Sequence, residues 1–237
     1  MELTEALGRR RMCRDFDGAK PVPRTDVRRL LGLALRAPTA GFSQGVGFVV
    51  LDTESDRAAF WGAAASLSGR SEGGARPDRW LRGVSAAPVL VAVLADPARY
   101  AERYARPDKT HPDSDTSAWP TPFWHVDAGM AAMSLLLAAE DAGLGALFFG
   151  VPQGAHDAVR ELLGVQPSDA AHLVGMVALG HRRQHAAEND SRDTPGDAPN
   201  GGRTDTARSG RPRRLPFEAR VRFGTSAPAG NDPAARG

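Results

Sequence analysis

The sequence contains one cysteine, Cys13, among 237 residues, and no apolar run long enough to cross a bilayer. A single thiol excludes an intrachain disulfide and any zinc site built on several cysteines. A transmembrane helix needs about 18 apolar residues, whereas the longest run, Ala128 to Ala139, is shorter and is interrupted by Ser134. The first residues also lack the basic and apolar regions of a signal peptide. We therefore expect a soluble protein of the reducing cytoplasm, without a membrane partner.

The common signatures of nucleotide, metallopeptidase and serine-hydrolase sites are missing as well. The sequence has no G-x-x-x-x-G-K-[ST], no H-E-x-x-H and no G-x-S-x-G. Gly143 and Gly145 follow a predicted helix rather than a strand, which argues against a dinucleotide fingerprint. The six histidines show no metal-ligand spacing, so no metal is expected.

An excess of one charge is also missing, since 30 Lys and Arg residues stand against 28 Asp and Glu residues. Binding to a nucleic acid or an anionic membrane needs clustered positive charge. Arginines do cluster near both ends of the chain, at Arg9, Arg10, Arg11 and Arg14 and at Arg211, Arg213, Arg214, Arg220 and Arg222. These clusters lack the interleaved aromatic residues that stack on bases, so no nucleic-acid partner is expected.

What the sequence does contain is an alternation of helical and strand patterns. Helices are predicted over Leu3–Arg11, from Thr25, after Thr53, over Val126–Ala142 and over Gln153–Leu163, and strands over Phe48–Leu51, Pro88–Leu94, Ala146–Phe149 and Leu173–Leu179. In the second helix one buried stripe is predicted by helical spacing, at Val27, Leu30, Leu31, Ala34 and Leu35. The whole pattern indicates a mixed helix and strand core of about one domain.

The helix predicted over Val126–Ala142 is apolar on most of its faces. Its charged residues, Asp127, Glu140 and Asp141, lie only near its ends. A helix of this kind has to be buried nearly all round. Because a protein of this size has few residues with which to bury such a helix, we expect a subunit interface to bury its remaining apolar surface.

The composition changes sharply after residue 183. Residues 184–210 are polar and contain almost no large apolar side chain, so burial cannot offset the entropy lost on ordering, and a disordered insertion is predicted. Residues 211–224 include an alternating run over 219–223 and are predicted to complete the core of residues 1–183 as a C-terminal arm. Residues 225–237 are predicted to be a disordered tail.

Two segments have the composition of a ligand site, and the first is basic. Arg10, Arg11 and Arg14 suit an anion because guanidinium groups bind phosphate oxygens bidentately. Alternatively, the first arginines end a helix and interact favourably with its dipole. The run from Arg211 to Arg214 either closes over the same phosphate or is a non-specific basic tail.

The second segment, Ala37 to Gln44, reads A-P-T-A-G-F-S-Q. It stops a helix, and its small residues let the backbone approach a planar ligand closely. Ser43 and Gln44 add hydrogen-bond donors for the carbonyl and ring-nitrogen acceptors of such a ligand. An ordinary turn is the alternative interpretation.

Four segments in order resemble the nitroreductase family of flavin mononucleotide (FMN) enzymes, over residues 4–183 and again near 211–223. The family's first helix ends R-R-S-x-R-x-F, where this chain has R-R-M-C-R-D-F from Arg10 to Phe16. The family's A-P-S-A-G-N-S-Q-P-W-x-F corresponds to residues 37–48. A buried helix then leads to G-L-G-x-x-x-x-G, found at Gly143 to Gly150, and a glycine after a core strand is matched by Gly180.

The resemblance implies an α+β fold, with a central and mostly antiparallel sheet flanked by helices, in a homodimer with a buried interface helix. It implies one FMN per subunit, whose phosphate and ribityl chain contact Arg10, Arg11, Arg14 and either Arg211 or Arg213. It further implies ring contacts from Pro38, Thr39, Ala40, Gly41, Phe149 and Gly150, and from Ser43 and Gln44 contributed by the partner subunit.

The implied activity is FMN-dependent oxidoreduction, in which NAD(P)H donates a hydride and a nitro, quinone or enone compound is reduced in a ping-pong cycle. Donor and acceptor would alternate at the same flavin face, so no separate nicotinamide-binding motif is needed. This agrees with the absence of a dinucleotide fingerprint. The alternatives are oxidative dehydrogenation or reductive dehalogenation on the same fold, and a non-catalytic flavin-binding or nucleic-acid-binding module. No catalytic residue is assigned, and Trp124 and His125 are interpreted either as pocket residues or as ordinary packing.

The chain departs from the family pattern at several positions near the expected ring. Met12 replaces a serine that helps to bind the cofactor. Asparagine, proline, tryptophan and a polar residue are replaced by Phe42, Gly45, Val46 and Gly47. Since these positions shape the substrate pocket, the electron acceptor does not follow from the resemblance.

Overall fold

The computed structural model describes residues 1–65, 79–109, 115–165 and 171–184. Its α-helices are α1 (Leu3–Arg9), α2 (Arg24–Ala34), α3 (Glu54–Ala65), α4 (Arg79–Ser85), α5 (Pro97–Tyr104), α6 (Phe123–Asp141) and α7 (His156–Leu162). Its strands are β1 (Val46–Leu51), β2 (Val89–Ala95), β3 (Gly145–Phe149) and β4 (His172–Gly180). The predicted insertion from residue 185 onwards, the predicted arm at 211–224 and the predicted tail at 225–237 lie outside the described residues.

The four strands form one sheet in the order β1-β2-β4-β3, and every neighbouring pair is antiparallel. β2 and β4 are therefore central, while β1 and β3 lie at the edges. β2 consists of alanine, valine and leucine only and is buried along nearly its whole length, as expected for a strand with helices on both faces. The α+β fold with an antiparallel sheet flanked by helices is confirmed.

Helices cover both faces of the sheet. Because side chains alternate along a strand, Val89, Val91 and Val93 of β2 contribute to the core under α2 and α6. Leu90 and Ala92 contribute to the core on the other side, which includes residues of α3 and α7. The sheet therefore separates an α2/α6 layer from an α3/α7 layer.

The ends of several elements differ from the prediction. α1 ends at Arg9 because the chain becomes extended at Arg10 (φ −49°, ψ 123°), so the arginines that follow are outside the helix. α2 ends at Ala34, and burial of Leu35 was wrongly predicted, since this residue lies at the C-terminal cap and is exposed. β1 is only half-buried apart from Leu51, because it is an edge strand. The Thr53 hydroxyl caps the start of α3, since it accepts from the Asp56 amide at 3.1 Å.

α6 begins at Phe123, three residues earlier than predicted, and is the longest described helix. One side packs into the core through a set of buried residues: Ala128, Ala131, Ala132, Leu135, Leu136 and Ala139. The opposite side remains apolar and exposed at Phe123, Val126 and Met130. Within the described ranges no helix, α6 included, combines the length and apolar character that a bilayer crossing requires.

Candidate functional site

The arginine segment, residues 10–14, runs along the edge of the sheet directly after α1. Met12 forms a parallel bridge with Ala146 of β3, and the Cys13 amide donates to the Ala146 carbonyl at 2.9 Å. Further along, the fully buried Phe16 bridges Arg182 just after β4. Backbone pairing therefore holds the segment beside the edge strand that leads to Phe149.

Arg10 is the most unusual member of this segment. Its Nε and Nη1 atoms are buried, and neither has a hydrogen-bond partner among the described residues. Buried nitrogens of a guanidinium without acceptors destabilise a fold. The Nε and Nη1 atoms of Arg10 therefore make it the strongest candidate for binding an anion among the arginines of this segment.

The two neighbouring arginines differ from Arg10. The Arg11 Nη1 atom donates to the Gly8 carbonyl at 2.6 Å and to the Arg10 carbonyl at 3.1 Å. These bonds cap the C-terminal end of α1, as the helix-end interpretation requires. Arg14 is exposed, and its Nη1 atom donates to the Met12 carbonyl at 3.3 Å. Arg14 thus has guanidinium donors facing solvent, whereas Arg11 is largely engaged with the backbone.

The segment Pro38–Gln44, here called the glycine loop, has a defined conformation. The Ser43 hydroxyl donates to the Ala40 carbonyl at 2.6 Å, and the Thr39 hydroxyl accepts from the Gln44 amide at 3.0 Å. The predicted donor Ser43 therefore bonds within the loop in this structure. Gly41 adopts a φ of 61°, and a Cβ atom there would lie 2.6 Å from the Tyr104 ring, so both conformation and space require glycine.

Two buried side chains hold the glycine loop against the core. Asp127, the fifth residue of α6, accepts from the Ala40 amide at 2.8 Å and from the Tyr100 hydroxyl at 2.7 Å. Both bonds end on the same carboxylate oxygen, and both side chains are buried. Burial, and then the bond to Asp127, raise the pKa of Tyr100 well above its usual range. The Arg103 Nε atom also donates to the Gly41 carbonyl at 2.8 Å.

The Tyr100 hydroxyl gives a test of this support. Tyr100→Phe should destabilise the fold by about 1–2 kcal/mol in urea unfolding, because Asp127 loses one of its two donors. The raised pKa keeps the hydroxyl protonated in the folded chain. Its contribution is therefore fully present below the unfolded pKa of about 10 and is lost as the pH rises further.

Tyr104→Phe on the same helix is the matched control, since no described residue accepts a hydrogen bond from its hydroxyl, and its stability should stay within about 0.5 kcal/mol of the parent. Equal stabilities for the Tyr100→Phe variant and the parent at pH 7 would contradict the role given to this bond.

Phe149 and Gly150 lie where β3 ends. The Phe149 ring stacks on Trp61 with a centroid distance of 5.8 Å and an angle of 8°, and Phe60 and Trp80 meet it edge-on. Gly150 is exposed, and nothing lies within 4 Å of the position that a Cβ atom would take. A flat ligand can therefore approach the backbone of Gly150 beside a fixed aromatic wall.

Trp124 and His125 lie in the first turn of α6. Trp124 packs against the core of the α2/α6 layer, which supports the packing interpretation for this residue. His125 is exposed, and its Nε2 atom lies 2.9 Å from Nδ1 of His172 at the start of β4. Partial burial, and then the charge of His172, lower the pKa of His125.

The arginine segment and the glycine loop lie at opposite ends of α6. The loop is bonded to Asp127, whereas Arg9, next to the segment, has its Nε atom 3.8 Å from the carboxylate of Glu140. Thirteen residues of helix separate these two acids, a distance of about 20 Å at 1.5 Å per residue. The structure thus brings the arginine segment close to β3. Within one chain, the glycine loop lies far from both. Arg211 and Arg213 lie outside the described residues.

Sequence reasoning missed the residues that support the glycine loop. Asp127 carried a signal, since it is a charged residue near the start of a largely apolar helix, and a buried carboxylate needs donors. Tyr100 and Arg103 carried none, because their partners are far away in the sequence. His172 could not have been paired with His125, since the contact depends on where β4 begins.

The sequence pattern of the nitroreductase family matches residues 7–181. The matched part includes the arginine segment, the glycine loop, α6 and all four described strands. It ends just after β4 and so excludes the basic run at 211–214.

Solved structures of similar proteins share the fold. A nitroreductase family protein from Streptococcus pneumoniae TIGR4 has a TM-score of 0.61 at 19% identity, covering 94% of this chain and 100% of that chain. An FMN-dependent nitroreductase from Clostridium difficile R20291 has a TM-score of 0.54 at 20% identity, covering 78% and 91%. A nitroreductase family protein from Clostridium novyi NT has a TM-score of 0.56 at 16% identity, covering 77% and 86%. At such identities the likeness concerns the fold.

Proposed function

The chain belongs to the nitroreductase family, and from this premise we propose that it is an FMN-dependent oxidoreductase acting as a homodimer. NAD(P)H donates a hydride, and a nitro, quinone or enone compound is reduced in the second half of a ping-pong cycle. The observation that carries the proposal is that two guanidinium nitrogens of Arg10, Nε and Nη1, are buried at the edge of the sheet and have no hydrogen-bond partner in the part of the chain that the structure describes. A phosphate monoester would supply the acceptors that this guanidinium lacks.

The residues present fit FMN. Arg10 and Arg14 offer charged donors for the phosphate and ribityl chain, with Arg11 near them, and Arg211 or Arg213 of the C-terminal arm would complete the site. Phe149 and the open backbone of Gly150 would lie beside the ring. The serine of the family pattern is replaced by Met12, whose side chain packs against both hydrophobic clusters. Backbone or arginine donors would therefore replace the hydrogen bond that the serine of the family pattern makes to the cofactor.

Two observations support the homodimer. First, the glycine loop is separated from the arginine segment by about 20 Å along α6, so a site that contains both segments is completed by a second copy. Pro38, Thr39, Ala40, Gly41, Ser43 and Gln44 would then approach the ring bound by the partner subunit. Second, the exposed apolar side of α6 at Phe123, Val126 and Met130 is the kind of surface that dimerisation buries.

In this arrangement the protein contributes binding and geometry. When bound, FMN supplies the hydride and electron transfer chemistry. The arginines neutralise its phosphate, the aromatic wall at Phe149 fixes one edge of the pocket, and the hydrogen bonds of Asp127 keep the glycine loop in one conformation. His125, in the first turn of α6 and in contact with His172, is a candidate proton donor.

The absorption spectrum of the purified protein tests the proposal. We expect flavin bands near one FMN per subunit after incubation with FMN, and anaerobic loss of these bands when NADH or NADPH is added. A protein that remains colourless after incubation with FMN would overturn flavin binding. Flavin bands that neither nicotinamide reduces would contradict the NAD(P)H-linked activity and favour a module or a dehydrogenase with another donor.

A further inference from the structure

A groove of about 610 Å³ lies between the glycine loop and α5. Phe42, Ser43 and Gln44 line one side, and three arginines, Arg99, Arg103 and Arg106, line the other together with two acids. Its volume falls within the range of small-molecule sites. The family resemblance does not assign the α5 side of this groove to any ligand.

The three arginines of the groove differ in how far they are engaged. Arg103 is fully engaged, since its Nε atom bonds the Gly41 carbonyl and its two other nitrogens bond Asp108 at 2.9 and 2.7 Å. The Arg99 Nε atom lies 3.8 Å from a carboxylate oxygen of Asp96, and the Arg106 Nη2 atom lies 3.6 Å from a carboxylate oxygen of Glu102. These distances exceed hydrogen-bond length, and exposed pairs of this kind stabilise a protein little. Arg99 and Arg106 therefore keep donors available for an anion.

Phe42 adds an aromatic surface to the same groove. Its side chain is 74% exposed, although a large apolar residue normally gains by burial. Its φ of 59° is unusual for a residue with a side chain. Strained residues in a rigid loop are typical of functional sites, and here the strain presents the ring towards solvent beside Gln44.

We propose that this groove binds the 2′-phosphorylated adenosine end of NADPH, with the adenine on Phe42 and the 2′-phosphate on Arg99 and Arg106. The inference rests on the proposed function, because the glycine loop that forms one wall is the segment expected at the flavin ring. Guanidinium groups bind a phosphate dianion bidentately, and in other folds an arginine is what accommodates the 2′-phosphate of NADP. The protein therefore prefers NADPH to NADH.

Binding measured by calorimetry on the FMN-loaded protein tests this inference without catalysis. We expect adenosine 2′,5′-bisphosphate to bind about 10- to 100-fold more tightly than adenosine 5′-monophosphate. Arg99→Gln should remove most of this difference, and Phe42→Leu should weaken both nucleotides to the same degree, since it removes stacking only. Arg29→Gln is the matched control, because Arg29 is also exposed and pairs with an aspartate three residues earlier, at 4.0 Å.

Steady-state rates distinguish failure of this inference from failure of the proposed function. Arg99→Gln should raise the KM for NADPH about tenfold and leave the KM for NADH unchanged. The groove assignment is overturned if the two nucleotides bind equally, or if the Arg99→Gln variant keeps the full difference in affinity. In either case, flavin reduction by NADH or NADPH still supports the proposed function. If neither donor reduces the flavin, the proposed function itself fails.

Discussion

Arg10→Met is expected to weaken FMN binding by about 10- to 150-fold, which corresponds to about 1.5–3 kcal/mol for charge-assisted hydrogen bonds. The same change should leave the FMN-free protein as stable as the parent or more stable. The reason is that Nε and Nη1 of Arg10 are buried and lack partners among the residues that the structure describes, so the fold carries their desolvation whether or not an anion is present. Methionine fills similar space without that charge.

Weaker FMN binding together with equal or higher stability of the FMN-free protein would indicate that Arg10 serves to bind an anion. Quenching of FMN fluorescence on titration gives the affinity, and thermal unfolding without FMN gives the stability. Arg9→Met is the control, because Arg9 is its exposed neighbour and already pairs with Glu5 at 3.0 Å; its FMN affinity should change less than about twofold. An unchanged affinity in the Arg10→Met variant would place the phosphate elsewhere. A large loss of stability would show that Arg10 supports the fold instead.

Met130→Asp is expected to raise the dissociation constant of the dimer at least about 100-fold and to release FMN together with the partner subunit. Met130 belongs to the exposed apolar side of α6 and is 37% exposed in the single chain. A twofold interface would bury both copies of the new carboxylate close together, and uncompensated buried charges are strongly destabilising. FMN should be lost because each site needs the glycine loop of the other subunit.

The matched control is Leu162→Asp, at the end of α7. Leu162 is also 37% exposed, and α7 belongs to the opposite layer of the sheet, so this change adds the same charge to an apolar position away from α6. Light scattering and the flavin absorbance of the eluted peak measure both outcomes. A Met130→Asp protein that stays dimeric, or a monomer that keeps its FMN, would contradict the shared-site arrangement.

Local patterns in the sequence were sufficient for most of the secondary structure. β2 and β4 are short apolar runs, and the spacing of Val27, Leu30 and Ala34 marks the buried side of α2, because both signals are contained within a few residues. The residues at which helices and strands end were harder to predict. Leu35 continues the helical spacing, but α2 stops at Ala34, and the tertiary packing rather than the periodicity decides which residue is the last to be covered.

The chemical character of the candidate site was also present in the sequence, since an arginine run and a loop of small residues are recognisable by residue type alone. Their arrangement was not. The bond from Ala40 to Asp127 joins residues 87 positions apart, and the contact of His125 with His172 joins residues 47 positions apart. Contacts of such separation depend on how the helices pack on the sheet, which no local pattern specifies.

The sequence by itself determined the family, the elements and the kinds of side chain available to hold an anion and a flat ring. Only the tertiary structure decided that two buried nitrogens of Arg10 have no partner within the described ranges, that Arg11 caps α1, and that the two halves of the site lie at opposite ends of α6. The physical reason is that hydrogen bonding and burial are properties of the neighbourhood that a residue acquires on folding, whereas charge, size and periodicity are properties of the chain itself.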